Sequence, residues 1–220
     1  MTEFEKYIKS DFSVSSASLY DYKSSMTPMV IEEREMRAVS MSVFDRLMME
    51  RIIWCAGPVD DRMSIIVQAQ LMFLDSIGME DITLHVDTPG GSVKSGLGIV
   101  DVMDYIKCDI ATVNTGMAAS MGSILLGAGT KGKRSSLRFS KTMLHQSSGC
   151  AVGNIQDARI SMGEWEKTND ILFDLLGGYC GKTSKQVMED ATRDKWLNAE
   201  EALSYGIIDE VIGKKIVTKS

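Results

Sequence analysis

Ser120 stands in the run Gly116-Met117-Ala118-Ala119-Ser120-Met121-Gly122. There a β-type stretch, Ile110-Ala111-Thr112-Val113, gives way to apolar residues at helical spacing. This puts the hydroxyl at a helix N-terminus, where backbone N–H groups lack intrahelical partners and the dipole favours negative charge. Two kinds of work suit a serine in that place. It can cap the helix with its own oxygen. It can also attack an acyl carbon while the same amides stabilise the oxyanion that forms. Capping is the commoner fate and asks nothing of the rest of the chain. Nucleophilic attack needs a base, an orienting acid and a second oxyanion donor.

The base for a serine is most often an imidazole, and the chain has two histidines. His85 alternates within a β-type run, the usual setting of a half-buried structural histidine. His145 ends Met143-Leu144-His145 and precedes a polar loop, and α/β proteins place working groups at strand ends and in the loops beyond them. For the acid, Asp190 and Asp194 both lie in a charge-rich segment, where a solvated charge is the ordinary reading. Trp196 and Leu197 mark Asp194 as the one expected to be partly buried. A buried carboxylate needs a partner, and an imidazolium would serve.

The turn Pro89-Gly90-Gly91 either simply reverses the chain or brings an exposed N–H close to a ligand. A glycine turn before a helix could also bind phosphate. This one matches neither GxGxxG nor GxxxxGK[ST], which sets a nucleotide site aside. Ala118-x-Ser120-x-Gly122 is not the GxSxG elbow of α/β-hydrolases. No Asp or Glu lies between Ser120 and His145, so the order left is Ser, His, Asp.

The elements that must position these groups follow from periodicity. A helix is predicted over 60–76, with Ile65, Ile66, Ala69, Met72 and Phe73 as its apolar stripe and Gly78 at its end. A strand over 81–87 leads to the glycine turn. Ser92 opens a helix with Val93, Leu97, Val100, Met103 and Ile106 on one face. The strand 109–114 and the helix from Ser120 come next. Strand and helix alternating at these spacings predict right-handed βαβ units and a parallel sheet. Two short strands are expected near 136–139 and 142–145. A long helix over 157–176 carries Ile160, Trp165, Ile171, Leu172 and Leu175, with Gly177 and Gly178 loosening its end. Capping-box spacing at Thr183/Gln186 and Asn198/Glu201 predicts two short helices, and a last strand covers 207–212. Upstream lie a short strand at 29–31, a helix over 42–49 and a strand over 51–55. Residues 1–27 are polar and Ser/Tyr-rich and read as a mobile arm or a removable extension.

The 220 residues suffice for one domain with an extension and a proper core. A net charge of -6 argues against a nucleic-acid surface. Cys55, Cys108, Cys150 and Cys180 form no CxxC pair and read as free, mostly buried thiols of a reducing compartment. The longest apolar runs are too short to span a membrane, and the start of the chain lacks a signal-type apolar core. A cytoplasmic location is the expectation.

From about Pro28 to Ile212 the chain resembles the ClpP family, the proteolytic subunits of the ATP-dependent Clp protease. The likeness rests on Thr88-Pro89-Gly90-Gly91-Ser92-Val93, on Gly116 to Gly122, on Gly132-Lys133-Arg134, and on Met143-Leu144-His145-Gln146. It continues in Thr192-Arg193-Asp194, Ala199-Glu200-Glu201-Ala202 and Tyr205-Gly206, in the family's order and spacing. The resemblance implies an α/β fold of the ClpP/crotonase type, with parallel βαβ units and a protruding handle helix. It implies an arm at 1–27 that gates a pore or is trimmed, a protease domain at 28–213 and a tail at 214–220. It implies a serine endopeptidase with a Ser120, His145, Asp194 triad and the backbone N–H groups of Gly91 and Met121 as the oxyanion hole. Unfolded polypeptides would be cut inside two stacked heptameric rings fed by an AAA+ unfoldase of the ClpX or ClpA kind. The unfoldase would use the ATP, and this chain would need no cofactor or metal, no nucleic acid and no membrane. Two other functions fit the same resemblance: a non-catalytic scaffold in a mixed ring, and a crotonase-type acyl-CoA enzyme.

The chain departs from the family's pattern in places. Ser147 stands where proline is usual after His-Gln, and Arg138 stands where proline is common. Cys150, Val152 and Ile155 interrupt the small residues of the handle. Thr83 and His85 replace frequent aromatics on the surface used by unfoldase loops.

Overall fold

The computed structural model describes residues 29–34, 37–149 and 153–213. The expected arm at 1–27 and tail at 214–220 lie outside them, as do Cys150 and Val152. The chain divides into two compact units, Met1–Glu50 and Arg51–Ser220. In the first, β1 (Met29–Arg34) and β2 (Arg37–Ser42) form an antiparallel pair, so the short strand expected at 29–31 is one arm of a hairpin. Helix α1 (Val43–Met49) follows directly, held by a capping box between Ser42 and Asp45.

The second unit is built on a mostly parallel sheet, as the alternation of elements predicted. Its strands are β3 (Ile52–Ala56), β4 (Ile82–Thr88), β5 (Ile110–Ala119), β6 (Arg134–Leu137), β7 (Lys141–Leu144), β8 (Lys195–Asn198) and β9 (Glu210–Ile212). The order β3-β4-β5-β6-β9 is parallel throughout. β5 is long enough to serve two neighbours. Thr112–Asn114 pair with β6, and Met117–Ala119 pair with β7. At the fork Asn114 Nδ2 donates to the Lys141 carbonyl at 3.0 Å, and the Ser140 hydroxyl donates to the Asn114 carbonyl at 2.9 Å. Side chains thus satisfy the backbone where the ladder splits. A register shift between β4 and β5 at Val86/Thr88 is filled by Asp87, whose Oδ1 accepts from the Met117 N–H at 3.0 Å.

The helices are α2 (Asp61–Ile77), α3 (Val93–Tyr105), α4 (Met121–Gly127), α5 (Ile155–Cys180), α6 (Ser184–Asp190) and α7 (Ala199–Tyr205). All seven residues of α4 are buried, and it packs on β4, β5, α3 and α5. Leu71, Leu74, Ile82, Leu84, Ile99 and Leu125 are fully buried in the core of this unit. Both expected capping boxes are present, at Thr183 opening α6 and at Asn198 opening α7. Cys55 and Cys108 are buried and Cys180 half-buried, all as free thiols, and burial pushes Cys55 up to about 12 and Cys180 up to about 11.

Three expectations need correction. The stripe predicted to face inward on α2 faces out: Ile65, Ile66, Met72 and Phe73 are exposed, and Ser64, Val67, Leu71 and Leu74 are buried. Apolar residues occupy both faces of this helix, so periodicity alone does not choose between them. Gly177 and Gly178 do not loosen α5. The helix runs through both and stops at Gly181, which takes the left-handed conformation. Gly177 is buried against the Lys182 carbonyl, where a Cβ would come within 2.8 Å. Strand β8 was not foreseen; four residues without apolar alternation carry little β signal, and pairing with β7 makes the strand.

Candidate active site

Three neighbouring strand ends bring the predicted groups together. β5 ends at Ala119, opposite Met143 of β7, and the Ser120 N–H donates to the Met143 carbonyl at 2.9 Å. His145 follows β7 directly. β8 runs antiparallel to β7 with Leu144 opposite Lys195, so Asp194 falls beside His145. The unforeseen strand is therefore the one that delivers the acid.

Ser120 has φ 54° and ψ -121°, in territory that favours glycine. Its side chain makes no capping bond to α4. Instead Oγ lies 2.8 Å from His145 Nε2. The plain helix-cap reading of Ser120 therefore does not hold. His145 Nδ1 stands 3.6 Å from Asp194 Oδ1. That is an ion-pair distance, longer than a good hydrogen bond. The Asp194 side chain is 63% exposed, contrary to the expected partial burial. Trp196 is itself exposed, so it does not cover the carboxylate. Asp190 is the better-held acid. It accepts from the Tyr205 hydroxyl at 2.9 Å and from Lys195 Nζ at 3.1 Å. Burial pushes the Asp190 carboxyl up, but these hydrogen bonds outweigh it and keep it below its ordinary value. The Asp190–Lys195 pair closes the short loop that carries Asp194.

His85 is the other imidazole. It is half-buried in β4, stacked on Trp54 with centroids 4.6 Å apart, and burial lowers its pKa. It takes no part in the bond to Ser120.

Gly90 and Gly91 are glycine for steric reasons. Gly90 has φ 91°, and a Cβ there would meet Ser120 Cβ at 2.6 Å. Gly91 has φ 153°, and a Cβ would overlap the Val59 carbonyl oxygen. The parallel bridge between Val59 and Gly91 uses the Val59 N–H to the Gly90 carbonyl and the Ser92 N–H to the Val59 carbonyl. The Gly91 N–H takes no part in it. The Met121 N–H, first in α4, has no intrahelical partner. Both residues line the same cleft of about 220 Å³ as Ser120 and His145. Among the described residues no group of three or more His, Cys, Asp or Glu could hold a metal ion. No helix among them is long and apolar enough to cross a membrane.

An alanine at Gly91 is expected to push the turn off Val59 and displace its N–H. If the Gly91 N–H is an oxyanion donor, as the resemblance implies, its loss costs ~10²–10³ in turnover. Steady-state kinetics on a short peptide should show that loss in kcat, with a folded protein by circular dichroism.

The sequence did not single out Asn169, which lines the cleft and binds Ser147. The two residues lie in different elements, and no local pattern joins them.

Comparison with known proteins places this site in context. The family model described as Clp protease matches residues 33–215. The chain is 44% identical over 219 residues to the ATP-dependent Clp protease proteolytic subunit of Porphyromonas gingivalis, covering 97% of this chain and 99% of that protein. It is 42% identical over 220 residues to the protein of that name from Bacteroides fragilis, covering 98% and 100%. Against the one from Streptococcus pyogenes it is 46% identical over 190 residues, covering 85% and 97%. A sheet that forks to align a serine, a histidine and an aspartate, together with matches of this length and identity, establishes that the chain belongs to the Clp protease family.

Proposed function

We propose that the chain is a serine endopeptidase that hydrolyses unfolded polypeptides through Ser120, His145 and Asp194. Ser120 Oγ attacks the peptide carbonyl while His145 Nε2 takes its proton. The Gly91 and Met121 N–H groups hold the tetrahedral oxyanion. His145 then gives the proton to the leaving amine, and water releases the acyl group by the same steps in reverse. Asp194 orients the imidazole and stabilises its charge. The observation that carries this reading is the 2.8 Å contact between Ser120 Oγ and His145 Nε2, made by a serine that does not cap its helix. Ile124, Leu172, Phe173 and Leu176 line the cleft beside the serine. They suit an apolar substrate side chain next to the scissile bond.

The proposed working form is a pair of stacked heptameric rings in the cytoplasm. An AAA+ unfoldase of the ClpX or ClpA kind feeds it and uses the ATP, and this chain needs no cofactor. The exposed apolar face of α2 supports assembly, since Ile65, Ile66, Met72 and Phe73 form a stripe of the kind that interfaces cover. The first half of α5 supports a protruding handle, because its buried residues begin only at Phe173.

A fluorophosphonate probe tests the chemistry. The purified protein should gain one adduct, mapped by peptide mass spectrometry to Ser120, and lose peptidase activity in proportion. An unreactive protein would remove the endopeptidase reading. It would leave the scaffold subunit, the reading that the 3.6 Å gap between His145 and Asp194 favours.

A further inference from the structure

The polar segment after His145 is pinned to α5 by a network that the reaction itself does not use. Ser147 donates twice to Asn169 Oδ1, from its N–H at 3.1 Å and from its hydroxyl at 3.0 Å. Trp165 Nε1 donates to the same hydroxyl oxygen at 2.7 Å. The indole also covers Gly149, where a Cβ would meet the ring at 3.1 Å. One serine therefore gives two hydrogen bonds and receives one, which uses its hydroxyl as donor and acceptor together. Trp165 and Asn169 are one helical turn apart, so both reach the segment from a single face of α5.

The placement matters because Ser147 is two residues beyond His145. On the other side, β7 holds His145 through backbone pairing that stops at Leu144. The acid partner is 3.6 Å away and largely exposed, so it holds the ring weakly. Rigidity of the imidazole relative to Ser120 must come from the chain on both sides of it.

We infer that Ser147, Asn169 and Trp165 are positioning residues that lock His145 in line with Ser120 by fastening the segment behind it to α5. The inference rests on the reading of Ser120 and His145 as nucleophile and base. Ser147 and Asn169 also line the cleft, whereas Trp165 is not among its lining residues. Trp165 therefore separates positioning from substrate contact.

The test compares Trp165→Phe, Ser147→Ala, the double variant and Ser147→Thr with the parent protein on one fluorogenic peptide. Small misplacements of a catalytic group cost up to ~10²-fold. Trp165→Phe and Ser147→Ala should each lower kcat by ~10-fold or more, with KM for Trp165→Phe within about twofold of the parent. The double variant should be no slower than the slower single variant, because the residues act as one unit. Ser147→Thr keeps the N–H and the hydroxyl and should restore most of the rate. Thermal melting and native mass spectrometry of each variant should match the parent. Parental kcat in both single variants overturns the inference, and so do additive losses or failure of threonine to rescue. If Ser147→Ala fails to fold or assemble, Trp165→Phe decides alone: an unchanged kcat there overturns the inference. Ser120→Ala, run alongside, separates the two levels: activity retained there removes the underlying reading. An inactive Ser120→Ala beside unaffected Trp165→Phe and Ser147→Ala removes only the inference.

Discussion

Ser120→Ala is expected to lower kcat/KM for a fluorogenic peptide by on the order of 10⁴–10⁶-fold while leaving the fold and the assembly intact. The hydroxyl makes no capping bond to α4, so its removal takes nothing from the helix. Alanine is no less able than serine to hold φ 54°, so the backbone strain is unchanged. Only the contact with His145 disappears. His145→Ala should cost a similar factor, and the double variant little more, because nucleophile and base act together. Asp194→Asn should cost far less, about 10–100-fold, against the ~10⁴ expected when a buried orienting acid is lost. The reason is geometric: a carboxylate 3.6 Å away and 63% exposed does less to fix the imidazole. Steady-state rates for the three single variants and the double variant give the ranking directly. Ser120→Ala retaining more than a few per cent of the parental rate would refute the triad. A loss for Asp194→Asn as large as for Ser120→Ala would mean that the acid closes on His145 when substrate binds.

The largest expected effect on stability lies at Arg134, which is 1% exposed beneath the C-terminal end of the fold. Its guanidinium donates to Asp209 Oδ1 at 2.7 Å and Oδ2 at 2.8 Å, and to the carbonyls of Tyr179 at 2.9 Å and Gly206 at 2.9 Å. One side chain thus ties β6 to the ends of α5 and α7 and to the turn before β9. Arg134→Ala takes the guanidinium from a part-buried carboxylate and leaves the Tyr179 and Gly206 carbonyls without it. The Gly132 N–H, the residue-134 N–H and Lys131 still hold Asp209, so the loss is expected toward the lower end of the ~3–5 kcal/mol typical of a broken buried pair. Chemical denaturation should show the midpoint fall accordingly. Burial alone would push the Asp209 carboxyl up. Hydrogen bonds from the Arg134 side chain and N–H and from the Gly132 N–H, with the guanidinium charge, outweigh it and hold the carboxyl well below the usual carboxylate range. A carboxyl held down in the folded state contributes stability that is complete above its unfolded pKa of about 3.9 and is lost as pH falls further. Asp209→Asn should therefore flatten the fall in stability below about pH 4. An Arg134→Ala protein as stable as the parent, or an unchanged acid limb in Asp209→Asn, would contradict this account.

What the sequence made legible was local. Ser120 between a β-type run and a helix, the Pro89-Gly90-Gly91 turn, and the capping boxes at Thr183 and Asn198 are each written in a few adjacent residues. The structure places each where those residues implied. The illegible features depend on partners distant in the chain. The inward face of α2 is decided by packing, because Ile65 and Ile66 are as apolar as Val67 and Leu71. Strand β8 exists through its pairing with β7. Asp194 was expected to be covered because Trp196 and Leu197 are nearby, yet Asp194 stands just before β8 and Trp196 is itself exposed to solvent, so the ring shields nothing. The contacts of Ser147 with Asn169 and Trp165 join a loop to a helix face that no sequence period connects to it.

The backbone at Ser120 has a consequence for what substitution and selection can do there. A non-glycine residue in that conformation costs about 1–3 kcal/mol, and glycine would relieve most of it. The position is thus a standing conflict between foldability and chemistry: the residue that would settle the backbone best is the one that has no hydroxyl. Drift under selection for stability alone would empty the site while leaving the architecture undisturbed. A ring subunit of this family could in this way become a scaffold by one substitution that makes it sturdier.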